Sequence, residues 1–162
     1  MSAAVPATDT TSSRLGRDRT RVQYDRILVP VTASPASERA VTTAAMLAAE
    51  RKGSVTLVHV IEVPKELPLD ALFPDEEHDS REILSHASAT LDRYGIRTVT
   101  RSVHAATAAT AILEAAEEAR AEIIVMGTER RAGRQRTAVG RNVEHVLKRA
   151  PCRVMIVTVP SS

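Results

Sequence analysis

The sequence predicts one α/β domain built on a doubly wound, all-parallel sheet with helices on both faces. The chain has 162 residues, which is enough for one core of ordinary size. Only 2% of its residues are aromatic, so Ala, Val, Ile and Leu must fill that core. Five short apolar runs alternate with four segments of helical spacing. Such strict alternation with short connections favours parallel strands joined by right-handed crossovers.

The first strand and the first helix have clear local signals. Residues 26–31, RILVPV, form a continuous apolar run typical of a strand buried on both faces. Ser34 is suited to cap a following helix, and Pro35 is suited to its first position. The helix is predicted to continue through residues 40–51, and Gly53 then ends it.

The segments after Gly53 repeat this pattern. β-Branched residues favour a second strand at 54–61, and a long loop with three prolines is expected at 62–77. A second helix is predicted to end near Tyr94, and its inward face is marked by Ile83, Leu84, Ala87 and Leu91. The remaining predicted elements are a strand at 96–103, a helix at 106–120, a strand at 122–126, a Gly- and Arg-rich loop at 127–142, a helix that Pro151 ends, and a strand at 152–159.

Composition and charge exclude several classes of protein. The formal net charge of +2 is too small to predict a nucleic-acid partner from bulk charge. Cys152 is the single cysteine, so an internal disulfide is excluded and a reducing compartment is favoured. No apolar run reaches the length of about 18 residues that indicates a membrane span, so direct membrane insertion is not expected.

The N-terminal segment differs from the rest of the chain. Residues 1–24 are predicted to form a disordered tail, and residues 25–160 the folded domain. The tail has no apolar signal core. Its Ala, Thr, Ser and Arg content resembles that of an organelle transit peptide, but Asp9 and Asp18 argue against that interpretation.

The cysteine and the histidines give no metal signal. The five histidines lack a spacing with Cys or carboxylates that would specify zinc, so no metal site is predicted. His59 lies in an apolar strand and is interpreted as a packed core residue. Cys152 is interpreted as a small buried hydrophobic residue rather than a nucleophile.

Two loops that follow predicted strands are chemically distinctive. The loop at 30–34, PVTAS, offers hydroxyl groups and a helix N-terminus. The loop at 127–142 contains three glycines, and five arginines face only Glu129 within residues 129–141. Glycines let backbone N–H groups approach phosphate oxygens closely. Since ligands of doubly wound sheets collect where the strand order reverses, we predict an anion-binding site between these loops.

A plainer interpretation of the same loops stays open. Glycines also shape surface loops that bind nothing, and an arginine run is usually a solvated face. The sequence contains neither a Walker A pattern nor a GxGxxG after the first strand, so neither standard nucleotide-binding motif is supported.

Several segments resemble the universal stress protein (UspA-like) family. They are ILVPV, SPASERAV, LVHVIE, IIVMGT and, most specifically, GRNVEHVLKRAPCRVMIV, all within residues 25–159. The resemblance implies a five-stranded sheet in the order 3-2-1-4-5 of the adenine nucleotide alpha hydrolase-like type. It also implies a cytoplasmic location and a homodimer formed through the last strand. The charge-free run at 154–159 independently invites pairing with another chain.

ATP-binding members of that family share a motif of glycine, two residues, glycine, nine residues, then glycine followed by Ser or Thr. Gly127 and Gly140 match its first and third glycines. Arg130 replaces the second glycine and Arg141 replaces the hydroxyl residue. Because an arginine adds a Cβ where the backbone should approach phosphate, these departures put the ordinary ATP pose in doubt. Guanidinium groups bind phosphate bidentately, so the same arginines suit a differently placed phosphate of a cyclic nucleotide or cyclic dinucleotide.

The base side of the family's site is matched only in part. Thr32 stands where nucleotide-binding members usually carry an aspartate that contacts adenine, and Val60 matches the family's adenine-contacting valine. The resemblance implies contacts to the base from Thr32, Ala33 and Val60. The full set of candidate nucleotide-binding residues is Pro30, Val31, Thr32, Ala33, Ser34, Val60, Met126, Gly127, Thr128, Arg130, Gly140, Arg141 and Asn142.

The function that the resemblance implies is a non-enzymatic regulatory module of the stress response that binds an adenine-type nucleotide. ATP, AMP, cyclic AMP and cyclic di-AMP are the candidate ligands, with Mg²⁺ expected only as a companion of ATP. No catalytic residue is assigned, because Glu129 is the only carboxylate or histidine in the two loops. The alternative is a protein-interaction or transporter-regulating dimer that does not bind ATP. Residues 60–71 and 150–157 are similar to stress-protein domains appended to amino-acid permeases and cation antiporters.

Overall fold

The computed structural model describes residues 24–130 and 140–160 of the chain. Its strands are β1 (Arg26–Pro30), β2 (Ser54–Glu62), β3 (Arg97–Ala105), β4 (Ile123–Arg130) and β5 (Arg153–Pro160). Its helices are α1 (Pro35–Ala49), α2 (Pro74–Arg93), α3 (Ala108–Glu118) and α4 (Arg141–Arg149). The strands form one parallel sheet in the order β3-β2-β1-β4-β5, which confirms the predicted fold class and strand order. The prediction for residues 1–24 falls almost wholly outside the described residues.

Two apolar cores lie on opposite faces of the sheet. On one face, α1 and α2 pack their small and aliphatic residues against the side chains of β1, β2 and β4 that point toward them. On the other face, α3 and α4 cover Leu28, Val58, Ile124 and Met126. Since successive side chains of a strand point to opposite faces, β1, β2 and β4 contribute buried residues to both cores. This explains why these three strands contain continuous apolar runs.

The largest difference at a helix boundary is the start of α2. This helix begins at Pro74, inside the stretch 62–77 that was predicted to be a loop. Pro74 suits the first helical position, and three carboxylates follow in the first turn, where they interact favourably with the helix dipole. The other element boundaries differ from the predicted ones by at most two residues, apart from the end of β4.

The end of β4 corrects the prediction that a loop begins at Gly127. The strand continues to Arg130, because Gly127 pairs with Val157 and Arg130 pairs with Pro160 of β5. Gly127, Thr128 and Arg130 are therefore strand residues. At the other end of the predicted loop, Arg141 and Asn142 belong to the first turn of α4. Residues 131–139, with three of the loop's arginines, lie outside the described residues.

No helix among the described residues combines the length and the apolar character needed to cross a membrane.

Candidate functional site

The strand order reverses at β1, which pairs with β2 on one side and with β4 on the other. The chain after β1 turns into α1 on one face of the sheet, whereas α4 lies on the opposite face. The segments that follow β1 and β4 therefore diverge and leave a crevice at the carboxyl edge of the sheet. The structure places Pro30–Ser34 and the β4 residues Met126, Gly127, Thr128 and Arg130 at this edge.

Hydrogen bonds hold the segment after β1 in place. The backbone N–H of Thr32 donates to Ser37 Oγ (2.9 Å), and the Ser37 N–H donates to Ser34 Oγ (3.1 Å). The Thr32 and Ser34 hydroxyls lie 3.0 Å apart. Ser34 is thus the N-cap of α1, as the sequence predicted. Thr32 and Ala33 remain exposed, so they are accessible to a ligand in the crevice.

Gly127 has a packing role that sequence reasoning missed. A Cβ built on this glycine would overlap the carbonyl group of Ala36 and lie 2.8 Å from the backbone nitrogen of Ser37. The first turn of α1 thus rests directly on β4, and only a glycine leaves room for it. No sequence signal could have indicated this contact, because it joins two elements about ninety residues apart in the chain.

The N-terminus of α4 lies at the same edge of the sheet, since this helix follows β4. Gly140 is its N-cap residue, and no side chain among the described residues caps the helix. The first-turn N–H groups have no partner inside the helix, so an uncapped N-terminus presents donors and a favourable dipole to an anion. Arg141 and Asn142 are exposed beside these groups. A Cβ on Gly140 would meet no atom of the described residues within 4 Å.

Val60 and Met126 belong to the face of the sheet that α3 and α4 cover. Met126 is buried and Val60 is partly buried in the same apolar cluster. We call these two residues of β2 and β4 the apolar wall of the crevice. The structure therefore brings the candidate base-side and phosphate-side residues of the described chain to one edge of the sheet.

A chain of polar side chains lies between the sheet and α2, away from the crevice. His59 Nδ1 is 2.9 Å from Ser80 Oγ, and Ser80 Oγ is 2.7 Å from Ser102 Oγ. Ser80 is completely buried. Burial lowers the pKa of His59, although the nearby Asp79 carboxylate opposes this shift. His59 is thus a half-buried, hydrogen-bonded residue that links β2, α2 and β3.

The hydrogen bonds among His59, Ser80 and Ser102 were not predicted, although the sequence contains a signal for them. Ser80 occupies a position of α2 that the apolar pattern assigns to the core, since it shares its helix face with Leu84, Ala87 and Leu91. A serine at such a position requires a hydrogen-bonding partner. His59, on the facing strand, is that partner.

Neither the Cys152 thiol nor a metal site adds a reactive group to the described residues. Burial raises the pKa of the Cys152 thiol despite a hydrogen bond from the backbone of Ile124, so the thiol stays protonated at neutral pH. Within residues 24–130 and 140–160, no group of three or more His, Cys, Asp or Glu side chains is arranged to hold a metal ion.

These features define a class of protein: a doubly wound α/β domain whose candidate site is the crevice at the reversal of strand order. A family model described as the universal stress protein family matches residues 23–158. The chain belongs to the universal stress protein family, as the sequence segments predicted. A universal stress protein of Methanocaldococcus jannaschii is 28% identical over 143 residues, which cover 85% of this chain and 84% of that protein.

Solved structures share the fold at lower identity. A universal stress protein of Archaeoglobus fulgidus in complex with dAMP has a TM-score of 0.66 and 21% identity, covering 84% of this chain and 99% of that chain. A universal stress protein in complex with cAMP has a TM-score of 0.67 and 20% identity, covering 84% of this chain and 98% of that chain. Both similarities confirm the fold.

Proposed function

We propose that this protein binds an adenine nucleotide in the crevice between the segments that follow β1 and β4, and that it acts as a regulatory module of the stress response. The observation that carries the proposal is the N-terminus of α4, which no described side chain caps, with Arg141 beside it near the point where strand order reverses. Relatives with the same fold that hold dAMP and cAMP support it.

The phosphate groups are assigned to the N-terminal turn of α4. Its first-turn N–H groups and the Arg141 guanidinium supply donors and positive charge in one place. The N-terminus of α1 contributes less to phosphate binding, because the Ser37 N–H already donates a hydrogen bond to the capping residue Ser34. Arg130 ends β4 and is exposed, so it forms the second basic wall of the crevice.

The base is assigned to the side of Thr32, Ala33 and Val60. Thr32 has no carboxylate to contact the base, and its backbone N–H already donates to Ser37. Recognition of the base therefore depends on the apolar wall of Val60 and Met126 and on backbone groups of the exposed segment after β1. We infer looser recognition of the base than an aspartate would give, and a larger contribution from the phosphates.

Three single variants test the phosphate assignment by calorimetric titration with ATP and with cyclic AMP. Arg141→Ala should weaken binding by at least about tenfold, since a hydrogen bond to a charged group contributes about 1.5–3 kcal/mol. Arg130→Ala measures how much the Arg130 side chain contributes to nucleotide affinity. Arg97→Ala, an exposed arginine at the opposite, amino edge of the sheet, is the matched control and should bind as the wild type does. Equal affinities of all three variants would show that the phosphate assignment is wrong.

Binding without hydrolysis is the expected activity. A hydrolase needs a general base or a metal ion that positions water, and Glu129 is the only carboxylate or histidine in the described parts of the two segments. If Mg²⁺ takes part, it arrives with ATP. Incubation of the protein with ATP and Mg²⁺ should release phosphate no faster than a heat-inactivated sample does.

A second candidate function, a protein-interaction or transporter-regulating module, is favoured by one observation. Three leucines between β2 and α2 are exposed: Leu67 by 45%, Leu69 by 54% and Leu72 by 84%. Clustered exposed apolar side chains mark interaction sites. Pull-downs from membranes with the wild type and with Leu69→Ser/Leu72→Ser, each with and without nucleotide, test this function. A transporter that is recovered only by the wild type supports it, and no transporter in any sample contradicts it.

We further propose that the protein works as a cytoplasmic homodimer joined through β5. This strand is an edge of the sheet, and its central residues from Val154 to Val157 are only partly buried. Residues 154–159 of this edge carry no charge, and an uncharged edge is a surface on which a second copy can pair.

A further inference from the structure

A cavity of about 320 Å³ lies between α1 and α2, on the opposite face of the sheet from Val60 and Met126. We name it the α1–α2 cavity. Its inner wall is apolar and is formed by Val31, Val41, Ile83 and Ala87. Three of these side chains belong to the buried core, so the wall is fixed by packing. The volume falls at the small end of the range found for ligand pockets.

One stripe of each helix lines the cavity. On α2 the lining residues recur at helical spacing, namely Glu82, Ile83, His86, Ala87 and Thr90. On α1 they are Ser37, Glu38 and Val41. The two helices thus present apolar residues inward and polar residues at the mouth.

The mouth of the cavity carries negative charge. Glu38 and Glu82 stand at it, and no lysine or arginine is among the described residues that line the cavity. Glu38 Oε1 is 3.5 Å from Nε2 of His86, which bridges the two helices, and Glu82 Oε1 is 3.3 Å from Nε2 of His78. All four side chains are more than half exposed, so these contacts are weak and a ligand can displace them.

A buried hydroxyl group lies at the inner end of the cavity. Ser37 is 4% exposed, and its Oγ accepts the hydrogen bond from the backbone N–H of Thr32. Among the hydrogen bonds of the described residues, the Ser37 hydroxyl takes part as this acceptor, so its own proton is available to an acceptor on a ligand. The cavity therefore combines an apolar wall, one fixed polar group and an anionic mouth.

We propose that the α1–α2 cavity is a second ligand site, which binds a small molecule with a flat apolar body and a cationic amine. The apolar body packs between Val41 and Ala87, and the ammonium group lies between Glu38 and Glu82. This site is separate from the proposed nucleotide site, because the sheet stands between it and the apolar wall formed by Val60 and Met126. The two sites share only the segment Val31–Ala33.

Tryptamine is the probe that tests this site, because it joins a bicyclic apolar body to a primary ammonium group. Nucleotide-free full-length protein is titrated with tryptamine while ¹H–¹⁵N NMR spectra are recorded. The amide signals of Val31, Val41 and Ala87 should shift and saturate. Tryptophol has a hydroxyl group in place of the ammonium group, and indole-3-acetate has a carboxylate. Tryptophol should bind about five- to tenfold more weakly, and indole-3-acetate should not bind detectably, because Glu38 and Glu82 attract an ammonium group and repel a carboxylate.

Variants distinguish tryptamine binding in the α1–α2 cavity from non-specific binding. Glu38→Gln/Glu82→Gln should reduce tryptamine affinity about five- to tenfold and make it equal to that of tryptophol. Thr90→Trp should fill the cavity and abolish binding of both compounds. Glu114→Gln, an exposed carboxylate on α3, is the control and should bind tryptamine as the wild type does. The NMR spectrum of each variant shows whether it is folded.

The outcomes decide the proposal. Saturable shifts at α1 and α2 that depend on both the ammonium group and the two carboxylates support it. Shifts at Val60 and Met126, equal binding of the three indoles, or no saturable shift at all would overturn it. None of these results depends on whether the protein binds a nucleotide.

Discussion

The packing of α1 against β4 requires a glycine at position 127, whether or not a ligand binds. The α-hydrogen of Gly127 faces the carbonyl of Ala36, so β4 and the first turn of α1 are in backbone contact. In the sequence, the same glycine matches the first position of a phosphate-binding motif. The close contact with α1 explains why a glycine is needed here even if the motif no longer binds ATP.

Substitution of Gly127 by alanine should therefore destabilise the fold. The added methyl group must push α1 away from β4, and overpacking of this kind costs about 1–3 kcal/mol. Gly140→Ala is the control, since a Cβ there meets nothing within 4 Å. Urea unfolding of both variants measures the difference. A Gly127→Ala protein as stable as Gly140→Ala would contradict the packing described here.

His59 is the residue whose protonation should influence stability near neutral pH. Burial lowers its pKa in the folded protein below the ordinary value of 6.5, because the positive charge is poorly solvated beside Ser80. The unfolded chain therefore binds a proton more readily than the folded protein does. The contribution of neutral His59 to stability is complete above the unfolded pKa and is lost as the pH falls toward the folded pKa.

The free energy of unfolding should thus decrease as the pH is lowered from 7.5 to 5.5. His59→Gln keeps a group that can hydrogen-bond to Ser80 but does not titrate, so its stability should depend less on pH over this range. His78→Gln, at an exposed position on α2, is the control and should retain the wild-type dependence. An identical pH dependence in wild type and His59→Gln would contradict the assignment to His59.

The helices and strands show which features are encoded locally. Ser34 and Pro35 mark the start of α1 through capping and backbone geometry, and both act within one turn of chain, so the sequence predicts them. The extension of β4 to Arg130 depends on pairing with β5, which lies farther along the chain. Such pairing has no local signal, and the predicted loop therefore began four residues too early.

The capping role of Ser34 gives a prediction for α1. Ser34→Ala removes the acceptor of the Ser37 N–H and should lower the free energy of unfolding by about 1 kcal/mol. Ser85→Ala, at an exposed position within α2, is the control and should change stability little. Urea unfolding compares the two variants, and an equal effect of both would show that the cap does not contribute to stability.

The edge strand β5 gives a prediction for assembly. Thr158→Lys places a charge on an exposed position of this edge and should shift the protein toward monomer, because like charges would meet across a paired edge. Thr100→Lys makes the same change on β3, the opposite edge of the sheet, and should leave the oligomeric state unaltered. Sedimentation equilibrium distinguishes these results. A wild-type protein that is monomeric at all concentrations would show that the proposed dimer is wrong.

For the whole molecule, apolar periodicity and helix signals predicted the alternation of strands and helices, whereas the strand order and the family followed from the resemblance of several segments to universal stress proteins. For the described candidate residues, the sequence predicted the edge of the sheet at which they lie, whereas their role in binding stays a prediction. The sequence could not show that Gly127 lies against α1 or that a cavity opens between α1 and α2. Each of these features depends on how distant segments approach one another.

Titration of the purified, nucleotide-free wild type with ATP, AMP, cyclic AMP and cyclic di-AMP tests the central proposal most directly. All four titrations use one salt concentration, since contacts to phosphate are screened by salt. We predict saturable binding of at least one of the four at micromolar concentration, with one molecule per chain for a mononucleotide. An absence of binding with all four ligands would contradict the proposal of an adenine nucleotide site and favour the interaction module.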